Sequence, residues 1–190
     1  RNLMPTGHFC RSKKAKVTIA LPVYQGEKYL IQAIESLINQ TYTDYELVIS
    51  DDASTDSSNE ICRYYEQINP KIIYFRNSVN LGAQDNLLKI LKDTKSEYFV
   101  WASQDDYWDK DFLSSLVTAL EEDKNLSLAF SAIELINDNS TVQRLSFDSV
   151  WNPNKLTQYG LILALLLPVS KFSWLKTNLA VHGVVRTEIL

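Results

Sequence analysis

Hydrophobic residues along the first 130 positions follow two alternating patterns. Short runs in which apolar, β-branched and aromatic side chains predominate are typical of strands covered on both faces, and they occupy residues 17–23, 45–50, 71–75 and 98–102. Between these runs, apolar side chains recur at intervals of three and four, which predicts helices with one apolar stripe. These helical stretches include residues 29–38, 61–68, 87–91 and 110–122. Strands and helices therefore alternate regularly.

The predicted strands start at a constant interval. They begin near residues 17, 45, 71, 98 and 126, so successive starts differ by 28, 26, 27 and 28 residues, the length of one strand and helix unit. Repetition of this unit predicts an α/β fold with a mainly parallel sheet, right-handed crossovers and helices on both faces. Ligands of such sheets bind outside the carboxyl ends of the strands.

The pattern weakens after residues 138–140, a turn-forming cluster. We expect the fifth strand to extend over residues 126–136, and a short strand, an apolar helix and a last strand to follow at residues 142–147, 156–167 and 179–185.

Composition narrows the function classes. The chain has 190 residues, 45% hydrophobic and 22% charged, with a net charge of −4, which is ordinary for a globular domain. The chain has no basic excess, and this argues against a nucleic-acid partner. The longest apolar run, residues 161–167, is far shorter than the roughly 20 residues of a membrane-spanning helix. Cys10 and Cys62 form no metal-binding or disulfide pattern, and a cytoplasmic location is expected.

Two segments are expected. Residues 1–15 form a basic arm that we interpret as a flexible tail, with peripheral contact to a membrane surface as an alternative. Residues 16–190 form one domain, in which residues 16–135 would bind the ligand and residues 136–190 would begin an acceptor side. The first residue is not Met, and the last four residues resemble the first turn of a helix. We therefore expect a C-terminally incomplete chain.

Two pairs of acidic residues follow predicted strands. Asp51 and Asp52 come after the second strand, and Asp105 and Asp106 come after the fourth. The chain contains no glycine-rich phosphate-binding motif. Carboxylates repel a diphosphate unless a hard dication lies between them, and oxygen ligands suit Mg²⁺ or Mn²⁺. An acid that binds no metal can instead accept a hydrogen bond from a base or a ribose.

The same residues also have a purely structural interpretation. Residues 51–56 (DDASTD) precede a helix, and Asp, Ser and Thr are preferred helix caps and turn formers. This interpretation is weaker for Asp105 and Asp106, because Asp109 or Asp111 could cap the next helix.

Four segments together resemble a known family. The chain resembles family-two glycosyltransferases of the GT-A fold in the order and spacing of these segments. They are residues 22–27 (PVYQGE), 39–56 (NQTYTDYELVISDDASTD), 80–82 (NLG) and 103–108 (SQDDYW). The resemblance covers about residues 16–135, with a weaker match near residues 179–190. It implies an inverting, metal-dependent enzyme that moves a sugar from a nucleoside-diphosphate sugar to an acceptor hydroxyl, in bacterial polysaccharide or glycolipid synthesis.

The resemblance also implies roles for individual residues. Asp105 would bind Mn²⁺ or Mg²⁺ at the diphosphate, Asp106 would assist it, and Asp52 would hydrogen-bond the base, whereas Asp51 would shape the turn. The remaining residues implied in nucleotide-sugar binding are Pro22, Tyr24 and Glu27 near the base, and Gln104 and Trp108 near the sugar, with core packing as the alternative for Trp108.

The sequence departs from the family pattern in three places. Ser103 stands where the family often has the first Asp of its Asp-x-Asp motif, and Gln25 replaces a common Asn. The resemblance implies a general base, an Asp or Glu, beyond a strand that is followed by an Arg, and residues 181–186 (VHGVVR) look like that strand. The base is therefore expected beyond Leu190. His182 on an apolar strand is better interpreted as a packed residue, and Glu188 is no stronger a candidate.

Three alternatives remain. A nucleotide-sugar-binding module without turnover would have the same donor motifs. A methyltransferase-like sheet with Asp52 on a ribose is disfavoured by the glycine-poor first loop. A response-regulator fold would need its acids after the first and third strands.

Overall fold

The computed structural model describes residues 15–131, 133–136, 142–145 and 183–190. The strands are β1 (Val17–Val23), β2 (Tyr45–Asp51), β3 (Ile72–Arg76), β4 (Tyr98–Trp101), β5 (Leu128–Phe130), β6 (Ile133–Ile136), β7 (Val142–Leu145) and β8 (Gly183–Arg186). The helices are α1 (Leu30–Ile38), α2 (Ser58–Ile68), α3 (Ala83–Asp93) and α4 (Phe112–Glu122), and a 3-10 turn covers Thr187–Ile189. None of the described helices is long and apolar enough to cross a bilayer.

Six strands form the main sheet in the order β3-β2-β1-β4-β8-β5. The first four strands of that order are parallel, and β8 runs antiparallel to both β4 and β5. The prediction of an α/β fold with a mainly parallel sheet and helices on both faces is therefore confirmed.

Alternate residues of each central strand enter two apolar layers, because successive side chains of a strand point to opposite faces. Ile19 and Leu21 of β1 pack in the layer beneath α1, α2 and α4, while Ala20 packs in the layer beneath α3. The second layer also includes Phe99 and Ile90, together with the last residues of the chain. Burial on both faces explains the continuous apolar runs of these strands.

The fifth predicted strand, residues 126–136, differs from the expectation. It is divided into β5 in the main sheet and β6, which pairs with β7 in a separate antiparallel ribbon. The strand expected at residues 142–147 is present as β7. The last predicted strand enters the main sheet as β8, between β4 and β5. The helix expected at residues 156–167 and the arm, except for its last residue, lie outside the described residues.

Candidate functional site

A cleft opens where the direction of the strand order reverses. Within the sheet, β2 lies on one side of β1 and β4 lies on the other side. The strand order therefore reverses at the carboxyl ends of β1 and β4, which is where α/β sheets bind ligands. The cleft has a volume of about 460 Å³. Its lining comes from the end of β1, the start of α3 with the loop before it, and residues 101–105, with Asp52 among them.

Asp52 lies one residue beyond β2, and its side chain is held by donors from the loop before α3. Its Oδ2 accepts the Gly82 N–H at 2.8 Å, the Leu81 N–H lies 2.9 and 3.0 Å from the two oxygens, and Asn77 Nδ2 donates to Oδ1 at 2.8 Å. The residue is only 2% exposed. Residues 77–82 thus wrap around a buried carboxylate that forms part of the cleft.

Gly82 permits this wrapping. Its φ of 86° and ψ of 155° belong to a backbone region that is essentially restricted to glycine. The same conformation starts α3 and directs the Gly82 N–H to Asp52. The asparagine-leucine-glycine segment therefore supplies backbone donors to the carboxylate.

Asp51 has different partners from Asp52. Its Oδ1 accepts the Ser54 N–H at 2.9 Å, and its Oδ2 accepts the Tyr74 hydroxyl at 3.1 Å and Arg76 Nε at 3.0 Å. Burial, and next the Asp51 carboxylate, raise the pKa of Tyr74, so this phenol remains a donor. These contacts hold the turn after β2, in which Ala53 adopts a positive φ of 62°.

Gln104 joins the two walls of the cleft. Its Oε1 accepts the Tyr24 N–H at 2.9 Å, and its Nε2 donates to the Tyr24 carbonyl at 3.0 Å. The two bonds pair one side chain with the backbone of the other wall, beside Pro22. Tyr24 itself is 48% exposed and lines the cleft. The structure thus brings Pro22, Tyr24, Asp52, Gln104 and Asp105 together around one space.

Glu27 is placed elsewhere. Its carboxylate accepts the Ser57 N–H at 3.1 Å at the start of α2, and its own N–H donates to Asp56 at 3.0 Å. Glu27 is not among the residues that line the cleft. Between Glu27 and the cleft, Gln25 has a positive φ of 52°, and its Oε1 accepts the backbone N–H groups of Thr55 and Asp56.

Asp105 is the exposed acid of the second pair. It lies in the cleft and accepts a hydrogen bond from the Ser103 hydroxyl. Asp106 does not line the cleft. Trp108 is 4% exposed and packs edge to face against Phe112 in the core, so the packing alternative describes its placement.

A divalent cation fits this wall when a ligand completes its coordination. Among the described residues, no group of three or more His, Cys, Asp and Glu side chains is arranged to hold a metal ion. Mg²⁺ usually binds one or two carboxylates together with substrate phosphates and keeps several waters. Asp105 offers such an exposed carboxylate, and phosphate oxygens would provide further ligands.

Sequence reasoning missed the polar floor of the cleft. Asn86 lines the cleft although it is 1% exposed, and its Nδ2 donates to the Ser50 carbonyl at 2.8 Å. Asn77 lies beside it and bonds Asp52. The only signal for this polar floor in the sequence is Asn86, an asparagine among the apolar positions of a helical stretch.

Comparison with known proteins identifies the family. Residues 18–172 match the family model described as glycosyl transferase family 2. The chain belongs to glycosyl transferase family 2. The fold and the cleft described above are consistent with this family.

Several bacterial glycosyltransferases are similar in sequence to this family-two chain. Glycosyltransferase GlyA of Streptococcus pneumoniae is 32% identical over 107 residues, which are 56% of this chain and 15% of GlyA. The poly(ribitol-phosphate) beta-glucosyltransferase of Bacillus spizizenii is 35% identical over 98 residues, 48% of this chain and 15% of the relative. The dTDP-rhamnosyl transferase RfbG of Shigella flexneri is 34% identical over 105 residues, 53% and 36% of the two chains. The chain thus spans only part of the length of these relatives.

Two solved structures share the fold. S. aureus TarS 1–349 in complex with UDP-GlcNAc superimposes with a TM-score of 0.67 at 19% identity, covering 90% of this chain and 45% of TarS. The mannosyltransferase PcManGT from Pyrobaculum calidifontis, in complex with GDP-Man and Mn²⁺, gives a TM-score of 0.58 at 22% identity, covering 67% and 38%. The family-two chain therefore has the GT-A fold.

Proposed function

We propose that this family-two protein transfers a sugar, with inversion, from a nucleoside-diphosphate sugar to an acceptor hydroxyl. The observation that carries the proposal is the placement of Asp52 and Asp105 in one cleft at the point where the strand order reverses. One carboxylate is buried among N–H donors and the other is exposed. The cleft thus offers different environments for the two ends of a nucleoside diphosphate.

The donor nucleotide would lie along the floor and the β1 wall. Asp52 would accept a hydrogen bond from the base, and Tyr24 and Pro22 would contact the base or ribose. Because Gln104 uses its amide on the Tyr24 backbone, it would act mainly by fixing the wall and only secondarily by contacting the sugar. Glu27 would support this wall from the start of α2 rather than touch the base.

Asp105 would hold Mn²⁺ or Mg²⁺, and Asp106 would assist through a water molecule or the sugar. The cation would balance the charge of the diphosphate as it leaves. Ser103, which donates to Asp105, would orient that carboxylate. The relatives support cation use only in general, since PcManGT was solved with Mn²⁺.

In the proposed reaction, the acceptor oxygen attacks the anomeric carbon, a carboxylate removes the hydroxyl proton and the diphosphate departs from the opposite face. That order of events inverts the anomeric centre. We expect the general base beyond Leu190. Glu188 is exposed and follows β8, whose Arg186 pairs with Tyr98, so Glu188 lies at the sheet edge opposite the cleft. His182 lies outside the described residues.

The proposed product is a bacterial polysaccharide or glycolipid, made in the cytoplasm or at the inner face of the membrane. The name of the poly(ribitol-phosphate) glucosyltransferase supports a polymer acceptor. A second candidate is nucleotide-sugar binding without turnover. It is favoured by the cleft lining, in which Asp52 and Asp105 are the only acidic residues among those described.

Calorimetric titration with UDP, dTDP and GDP, in Mn²⁺ or in excess EDTA, tests the donor site. We expect at least one diphosphate to bind, with affinity falling by about tenfold or more in EDTA, the equivalent of one charge-assisted contact. Asp105→Ala should remove the metal dependence. The matched control, Asp44→Ala, changes an exposed aspartate before β2 at the opposite edge and should bind as the wild type does.

Equal binding of the wild type in Mn²⁺ and EDTA would rule out the role given to Asp105. A second measurement separates the two candidate functions. Release of nucleoside diphosphate from a bound nucleotide sugar indicates transfer or hydrolysis, whereas binding without release favours the module without turnover.

A further inference from the structure

The polar floor of the cleft continues from Asp52 to a buried chain of side chains. Asn77 Nδ2 donates to Asp52 Oδ1 at 2.8 Å and to Asn86 Oδ1 at 2.9 Å, while Asn77 Oδ1 accepts from Lys89 Nζ at 2.7 Å. Asn86 also accepts the Ser50 hydroxyl. Asn77 and Asn86 are 6% and 1% exposed, so the bonds that join Asp52, Asn77, Asn86 and Ser50 are shielded from water, and the Lys89 bond is partly shielded.

The chemistry of the two ends fixes the orientation of the Asn77 amide. A lysine ammonium can only donate, and an ionised carboxylate can only accept. The Asn77 oxygen must therefore face Lys89, and its nitrogen must face Asp52. A flipped amide would place two donors together at one end and two acceptors at the other. Lys89 is further held by packing over the Phe75 ring, with Nζ 4.8 Å from the ring centroid.

This arrangement leaves Asp52 with little remaining capacity. An ionised carboxylate has about four acceptor positions. Three donors of the described residues, Asn77 Nδ2, Leu81 N–H and Gly82 N–H, already bind this carboxylate, and the Leu81 N–H is shared between both oxygens. At most one acceptor position therefore remains for a ligand. Asp52 therefore suits a partner that presents a single N–H.

Nucleoside bases differ in this respect. Uracil and thymine present one N–H between two carbonyl groups on their pairing edge. Guanine presents an N–H and an adjacent amino group, two donors that together fit a carboxylate with both oxygens available. Adenine and cytosine present an amino group beside an acceptor nitrogen, which would face Asp52 unfavourably.

Asn80 adds a donor for a flanking carbonyl. Its Oδ1 accepts the Gly82 N–H at 2.8 Å, which leaves Nδ2 as the donor end of the amide, and Asn80 lines the cleft. A single acceptor position beside an amide donor matches the N–H and carbonyl of uracil or thymine. It matches the two adjacent donors of guanine less well.

We infer that Asn77, held by Lys89, limits Asp52 to one free acceptor position and thereby selects a uracil or thymine nucleotide over guanine. The inference rests on the proposed function, because it concerns the base of the same donor. Asn77 and Lys89 are positioning residues in this scheme, since they act through Asp52. The similar proteins differ in the base: TarS was solved with UDP-GlcNAc and PcManGT with GDP-Man, and RfbG is a dTDP-rhamnosyl transferase. The base that this chain binds does not follow from them.

Titration of the wild-type chain with UDP, dTDP, GDP, CDP and ADP in Mn²⁺ tests the inference. We expect UDP, dTDP or both to bind at least about tenfold more tightly than the other three, because each mismatched base leaves a buried polar group unpaired. GDP, CDP or ADP binding as tightly as the better of UDP and dTDP would overturn the inference while leaving the proposed function intact. Absence of binding by all five would overturn the proposed function itself.

A variant tests the part played by Asn77. Asn77→Ala removes one of three donors from Asp52, so the ratio of the GDP dissociation constant to that of UDP should fall at least threefold. A merely structural role would weaken both nucleotides equally and leave the ratio unchanged, and that result would overturn the assignment of Asn77. The matched control is Asn125→Ala, which removes an amide that donates to Asp123 in an exposed turn at 3.0 Å; its ratio should equal that of the wild type. If Asn77→Ala does not fold, the wild-type ranking still decides the inference.

Discussion

Replacing Arg76 with Met should destabilise the fold, because Arg76 compensates a carboxylate with no exposure to solvent. Arg76 Nε lies 3.0 Å from Asp51 Oδ2, and the guanidinium also donates to the Ser54 carbonyl. The side chain of Asp51 is 0% exposed and that of Arg76 is 39% exposed. Met keeps most of the aliphatic stem, so the substitution removes mainly the charge and its hydrogen bonds.

The size of the effect follows from this partial exposure. Removing one partner of a fully buried ion pair costs about 3–5 kcal/mol. Water screens the exposed part of Arg76, and Asp51 keeps its bonds from Ser54 and Tyr74. We therefore expect a loss of about 2 kcal/mol in the free energy of unfolding. For a chain of this size that corresponds to roughly 4–8 °C in Tm.

Urea unfolding followed by tryptophan fluorescence measures the change. Arg63→Met is the matched control, since Arg63 is exposed on α2 and bonds Asn59 at 2.9 Å; it should change stability by less than about 0.5 kcal/mol. A double-mutant cycle with Asp51→Asn isolates the coupling between the pair. If Arg76→Met is no more destabilising than Arg63→Met, or if the coupling is near zero, the proposed compensation is wrong.

Two further predictions concern the backbone at the cleft and alkaline pH. Gly82→Ala should cost about 1–3 kcal/mol of unfolding free energy, because alanine is strained at the positive φ of this position; the added Cβ itself would meet nothing within 4 Å. Ala53→Gly, which relieves a positive φ, should be neutral or stabilising. Equal effects of the two substitutions on stability in urea unfolding would contradict this argument. Burial raises the pKa of Cys62 from 9.0 to about 12 and that of Tyr45 from 10.0 to about 12. Both groups are bound to their protons more tightly in the folded state, so their stabilisation is complete below about pH 9 and is lost as the pH rises towards 12. The urea concentration at the unfolding midpoint should fall between pH 8 and pH 11, and it should fall less steeply in Cys62→Ala. A midpoint that stays constant over this range would refute the prediction.

Hydrophobic periodicity predicted the central part of the sheet well. β1, β2 and β4 are buried on both faces, so each is a continuous apolar run that is visible in the local sequence. The acids that the sequence singled out lie at or just beyond the carboxyl ends of β2 and β4. Strand order at the far edge could not be predicted in this way. The insertion of β8 between β4 and β5 depends on pairing between segments more than 50 residues apart, and Gly183, whose added Cβ would lie 2.8 Å from the Ala129 carbonyl, reveals the close approach only in the structure.

The site residues show the same division. Asp52 and Asp105 were recognisable because acids directly after strands are unusual in an apolar context. The partners of Gln104 and Glu27 could not be recognised from the sequence, because a long polar side chain beside a cleft can bind a ligand or a neighbouring loop equally well. Gln104 bonds Tyr24, and Glu27 bonds the start of α2. Asn77 was missed for the same reason: its role depends on Lys89 and Asp52, which are 12 and 25 residues away.

The direction of β8 determines at which edge of the sheet the chain leaves β5 and enters β8. Phe130, the last residue of β5, pairs with Gly183, the first residue of β8. Both residues lie at the edge of the sheet that carries the cleft, because β8 runs antiparallel to β4. The chain therefore leaves the main sheet after Phe130 and rejoins it at Gly183, on the edge that carries the cleft. Under the proposed function, a substituted or lengthened segment between these two ends would change the surroundings of the cleft while β1, β2 and β4 keep their pairing.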